Sequence, residues 1–174
     1  LDTNANTTLS QADGDTCAFP TGAGGILLYD FSSDATDACG NYNGTNDSGI
    51  TYNIPGVVGN CAQFGGGADR IDIDQALLGS GTMKIWSNSF WLKTSQTGSE
   101  QYVSNTGAAW SNAGWAIFIN PSGYLRFQTS GAASYSGYMS LEDRSLFDGQ
   151  WHHIVATYSS AGGTNDAYMY LYVD

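Results

Sequence analysis

The chain has few of the residues that build exposed helices and basic surfaces. Among its 174 residues there are two lysines, Lys84 and Lys93, and two glutamates, Glu100 and Glu142. Straight-chain charged residues of this kind cover the solvent faces of helices, so their scarcity argues against a helical fold. Five Lys and Arg stand against 16 Asp and Glu, a formal net charge of −11. Phosphate contacts need clustered Lys and Arg, so nucleic acid is excluded as an expected partner and binding to anionic membranes is disfavoured. No apolar run approaches the roughly 20 residues of a membrane span, so no membrane insertion is expected. No signal peptide is visible, and the chain starts at Leu1 rather than Met, which reads as a piece of a longer polypeptide.

What is abundant is equally directive. There are 11 Tyr, 5 Trp, 7 Phe and 23 Gly, with many Ser and Thr. Aromatic and β-branched residues fit a pleated, half-buried surface, and glycine supplies the turns between strands. An all-β protein follows. Excess carboxylate is compatible with plain solubility, with divalent cations or with neutral sugars as ligands. Cysteine is odd in number: Cys17, Cys39 and Cys61. One disulfide with a leftover thiol and three small thiols are both open, with Cys39–Cys61 the preferred pair because it would close a loop-rich segment.

Residues 1–24 are polar and rich in Thr, Asn and Gly, and read as an extended N-terminal arm or linker. From residue 25 onward short strands recur between turn signals. They are expected at 26–31, 50–54, 61–64, 70–74, 85–92, 101–104, 114–119, 124–128, 138–141, 151–158 and 167–174. Asn120-Pro121-Ser122-Gly123 is a hairpin turn, with proline presetting φ and glycine accepting a positive one. In 85–92 the alternation places Phe90 and Leu92 on one face and Trp91 opposite. So many short strands suit a two-sheet antiparallel sandwich.

The most telling stretch is Asp148-Gly149-Gln150-Trp151-His152-His153, followed after a Gly/Ser/Asn-rich loop by a strand ending Tyr172-Val173-Asp174. It resembles the signature of laminin-G-like, concanavalin-A-like jelly rolls. Other motifs fall in the family's order. Leu28-Tyr29-Asp30-Phe31 resembles its first strand, and Gly40-Asn41-Tyr42-Asn43-Gly44-Thr45 the turn region after it, with Cys39 where the family has Ser. Gly56 to Phe64, Asp69 to Ile73, Ser89 to Lys93 and Gly114 to Ile117 resemble later strands. The resemblance implies one jelly-roll domain over 25–174 that lacks its last strand. It also implies a non-catalytic recognition or assembly module. The Asn/Thr-rich style is similar to copies on tailed-phage virions, as fibre or capsid decoration, and the expected location is a virion surface or the extracellular space. Partners would be glycans or neighbouring virion or surface subunits, with homo-oligomers possible. The alternatives are a secreted or cell-surface carbohydrate-binding adhesin and a glycoside hydrolase or lyase of the same fold.

Candidate chemistry is sparse. Glycoside hydrolysis needs paired carboxylates across a cleft, and Asp72 with Asp74 is the one alternating pair. His152 and His153 are adjacent, so on a strand they point to opposite faces and cannot share a metal: one belongs in or near the core and the other at the surface. Asp34, Asp37 and Asp47, in a loop crowded with Asp and Asn, are the expected ligands of a structural Ca²⁺, a site that jelly rolls of this resemblance often hold. The same residues also form turns without any ion. Trp110, Tyr135 and Tyr138 are aromatics that the strand pattern does not require, which makes them the candidate ligand-binding residues. Trp91, Trp115, Trp151 and Phe64 are expected in the core.

Overall fold

The computed structural model describes residues 27–40, 42–45, 49–67, 69–73, 85–95, 98–105, 114–130, 137–142, 146–160 and 167–174. The expected arm, 1–24, lies outside them. The chain divides into two compact units, Leu1–Leu77 and Leu78–Asp174, and this boundary falls inside the span expected as one jelly roll.

Among its described residues the first unit holds one hairpin. Strand β1 (Thr51–Pro55) pairs antiparallel with β2 (Asn60–Gln63). The turn closes by a hydrogen bond from Gly56 N–H to the Gly59 carbonyl, with Gly59 at a φ of 63°. The strands expected at 26–31 and 70–74 are, in their described parts, only single bridges, Tyr29 with Asp37 and Thr45 with Asp72. Phe31 has a φ of 53°, a left-handed conformation that ends extended chain, so an apolar run there does not propagate as a strand.

The second unit is an antiparallel sandwich. Strands β4 (Gln101–Asn105), β5 (Gly114–Ile119), β6 (Leu125–Ser130) and β7 (Gly137–Leu141) form a four-stranded meander in chain order. Strands β3 (Ile85–Lys93), β8 (Trp151–Ser160) and β9 (Ala167–Val173) form a second sheet in the order β3-β8-β9. The β5–β6 turn forms as its sequence directs: Gly123 has a φ of 88° and donates to the Asn120 carbonyl, while Asn120 Oδ1 accepts from Ser122 and Tyr124 N–H. No helix occurs among the described residues.

One core joins the two sheets. Ile117, Ile119, Leu125 and Phe127 come from the meander, and Ile154, Ala156 and Leu171 from the second sheet, with Leu146 from the loop before β8. Fully burying each large aliphatic or aromatic side chain contributes roughly 1.5–3 kcal/mol. Trp86 of β3 bridges the layers, its ring centroid 4.6 Å from Trp115 and 5.2 Å, edge to face, from Phe127. The period of two therefore decides both sheets: whichever set of alternate residues is aliphatic faces inward, and the other set faces out.

Candidate ligand-binding face

The outward set on the second sheet is unusual. On β9 the inward residues are Met169, Leu171 and Val173, so the residues between them, Tyr168, Tyr170 and Tyr172, stand outside, 55%, 50% and 55% exposed. On β3 the packing of Trp86, Phe90 and Leu92 turns Ile85, Ser87, Ser89, Trp91 and Lys93 outward. Register then fixes the rungs across β8. Lys93 lies opposite Trp151, Trp91 opposite His153 and Ser89 opposite Val155, which pairs on its other side with Tyr172. Ser87, Thr157 and Tyr170 form the next rung, and Ile85, Ser159 and Tyr168 the last. The face is a hydroxyl-bearing floor with Trp91 on one side and a tyrosine ladder on the other.

Two contacts hold the Trp91 end in place. The Trp91 and His153 rings lie 5.0 Å apart, and His153 Nε2 is 3.0 Å from Ser89 Oγ. Lys93 Nζ sits 6.0 Å from the centre of the Trp151 ring, within reach of a cation–π attraction. Along β9, Tyr170 and Tyr172 stack with centroids 6.3 Å apart. Half-exposed rings beside hydroxyls suit a ligand that offers both C–H faces and polar edges, as sugars do.

On the inner side, His152 does something different. It is buried, with Nδ1 2.9 Å from Asp174 Oδ2 and Nε2 3.1 Å from Asp148 Oδ1. Burial by itself would lower its pKa, but the hydrogen bonds to Asp174 and Asp148, with their charges, outweigh that and raise it above the ordinary histidine value. Asp148 is held low by the Gln150 N–H and then by His152. Asp174 Oδ1 also accepts the His153 N–H at 2.9 Å, and the Asp174 N–H donates to the His153 carbonyl. The two adjacent histidines are thus divided by the strand as expected, His152 inside as a clasp on the end of β9 and His153 on the outer face.

The residues expected to bind ligand fare differently. Trp110 and Tyr135 lie outside the described residues, and Tyr138 is described only as backbone in β7. The structure brings together instead Trp91 and the β9 tyrosines. Trp91 and Phe64, expected in the core, are exposed, 42% and 47%. For Trp91 the reason is register: Phe90 and Leu92 already occupy the inward positions. The signal for the face was present in Ala167-Tyr168-Met169-Tyr170-Leu171-Tyr172-Val173, where every second residue is tyrosine and the aliphatic set claims the core.

The calcium residues can be placed in part. Asp34 is exposed and its Oδ1 accepts the Thr36 N–H, and bonds from the Thr36 side chain and then its backbone hold the carboxyl below its usual pKa. Asp37 is buried, 1% exposed, and its carboxylate accepts N–H bonds from Leu28, Cys39 and Tyr42 at 2.9–3.1 Å. Such a ring of donors is an environment made for an anion, so Asp37 does not fit as a ligand of a cation. Above it, burial and then the Asp37 charge push the Tyr29 hydroxyl up to about 12. Asp47 lies outside the described residues. No group of three His, Cys, Asp or Glu placed to hold a metal occurs among the described residues.

The preferred Cys39–Cys61 disulfide is not formed. Cys39 is disulfide-bonded, whereas Cys61 keeps its thiol, with Sγ 4.0 Å from the Pro55 carbonyl inside the β1–β2 hairpin. The partner of Cys39 therefore lies outside the described residues. Of the hydrolase pair, Asp72 is ion-paired to Arg70 at 3.0 Å, and Asp74 lies outside the described residues.

The Laminin_G_3 family model, described as the concanavalin A-like lectin/glucanases superfamily, matches residues 65–174. The chain belongs to this superfamily. The match takes in every strand of the sandwich and the whole aromatic face, and leaves the motifs between residues 26 and 64 outside it. Comparisons with curated proteins and with solved structures give no match. The concanavalin A-like assignment is compatible with carbohydrate binding, and the superfamily spans lectins and glucanases.

Proposed function

We propose that this chain is a non-catalytic glycan-recognition module that works on a virion, as a fibre or capsid decoration, or on another extracellular surface. The observation that carries the reading is the aromatic and hydroxyl-lined outer face of the β3-β8-β9 sheet. Three tyrosines and a tryptophan stand half-exposed on one sheet face, and none of them belongs to the core. The virion setting rests on the Asn/Thr-rich style of the N-terminal part and is the finer half of the proposal. A hydrolase would need a carboxylate pair flanking its ligand, and the register positions of this face carry no carboxylate.

A glycan array tests the reading. Binding by the wild type, lost in Trp91→Ala and Tyr170→Ala without a change in melting temperature, is expected. A folded protein with no glycan hits, or binding that survives both substitutions, would overturn it. Release of reducing sugar from a polysaccharide, abolished in Asp72→Asn, would instead establish the hydrolase.

A further inference from the structure

We infer that the ligand of this face is an acidic saccharide, with its carboxylate or sulfate seated at the Lys93 end; the inference rests on the glycan-binding reading above. The argument begins with charge placement. The chain carries 16 acidic residues against 5 basic, yet none of the thirteen outward positions on β3, β8 and β9 between Ile85–Lys93, Trp151–Ser159 and Tyr168–Tyr172 is acidic. At one end of this neutral strip stands Lys93. Among the described residues it has no carboxylate partner, and its ammonium lies over the Trp151 ring. In so acidic a chain a lysine left over an aromatic ring instead of a carboxylate is a site kept open for an anion from elsewhere.

The structure also explains why the nearby carboxylates do not occupy that lysine. Asp148 precedes β8 and Asp174 follows β9, and both turn to the inner side, where the two nitrogens of His152 bind them. Strand alternation does the sorting: His152 points in with two carboxylates, while Trp151 and His153 point out with Lys93 and Trp91. The outer end of the face then offers, in adjacent rungs, an ammonium group, an indole, an imidazole and the Ser89 hydroxyl. An anionic sugar can stack its ring on Trp91 and place its charge at Lys93, with the tyrosine ladder taking the neutral sugars beyond. The net charge of −11 works against densely charged polyanions and against a second copy of this chain. At physiological salt, however, screening sets in beyond about 8 Å, so a ligand with few acidic groups responds to the local charge of the face.

The test uses an array of matched pairs, each saccharide bearing a terminal uronate, sialate or sulfate beside its neutral parent. Acidic members are expected to bind about tenfold tighter than their parents, the size of one charge-assisted contact. That preference should fall as salt is raised, and Lys93→Gln should erase it, bringing acidic members to the affinity of their neutral parents. The uronate, sialate and sulfate arms tell the anionic sources apart. Equal binding of acidic and neutral partners, or a preference untouched by Lys93→Gln, would overturn this inference and leave the glycan-binding reading intact. No binding of either member by the folded protein would overturn both, and so would self-association of the face that excludes saccharides.

Discussion

At the scale of single residues, the clearest result is that one aspartate organises a loop. The Asp37 carboxylate gathers the N–H groups of Leu28, Cys39 and Tyr42, while its own N–H donates to Asn43 Oδ1. Removing it strands several part-buried donors, each worth about 1–3 kcal/mol when unmet. Asp37→Ala should therefore destabilise the protein by roughly 3 kcal/mol or more in urea titrations, and Asp37→Asn by less, since an acceptor oxygen remains. Both losses should be the same in EDTA and in calcium, because the carboxylate is spent on N–H donors. A calcium-dependent stability that disappears in Asp37→Asn would show instead that it is a metal ligand. From the sequence, Asp37 was one acid in a crowd of Asp and Asn. Its burial is a tertiary fact that no local pattern marks.

Among the elements, β9 shows how completely two faces of one strand diverge. Leu171 lies in the core between Tyr170 and Tyr172, which are half-exposed. Leu171→Ala is expected to cost about 2–5 kcal/mol, the usual range for a buried leucine that leaves a cavity. Tyr170→Ala should shift thermal unfolding little and act on ligand binding alone. Calorimetric melting of the two variants checks the pair, and a Tyr170→Ala loss as large as that of Leu171→Ala would show that the ladder is structural. The alternation behind this contrast was legible in the sequence, as were the strands on either side of the Asn120–Gly123 turn. What could not be read was which sheet neighbour each strand takes. The pairing of β3 with β8 joins residues far apart in the chain, and that pairing alone places Trp91 beside His153 and Lys93 beside Trp151.

For the whole molecule, the pH dependence of stability follows from the clasp between β8 and β9. The folded-state pKa of His152 is raised, so its stabilisation is fully present below the ordinary histidine pKa and is lost as pH rises through the folded value. Asp148 is lowered, so its share is present above the ordinary aspartate pKa and fades as pH falls through its folded value. The urea midpoint should thus peak in mildly acidic solution and decline as the pH is taken from the histidine range toward alkaline values. His152→Gln should flatten that decline. A wild-type midpoint that rises across the same window would refute the clasp. The same geometry keeps two carboxylates off the outer face of a chain that is strongly acidic overall.

The sequence by itself determined the all-β character, the antiparallel sandwich and the splitting of the two histidines. These follow from composition, from a period of two and from turn residues, all of which act within a few neighbours along the chain. Tertiary structure decided which aromatics are buried, that Phe64 and Trp91 are exposed, that Cys61 is not the partner of Cys39, and that Asp37 lies among N–H donors. Each of these depends on which distant segment packs against the residue. A side chain faces solvent or core according to what covers it, and that information lies in the fold rather than in its immediate neighbours.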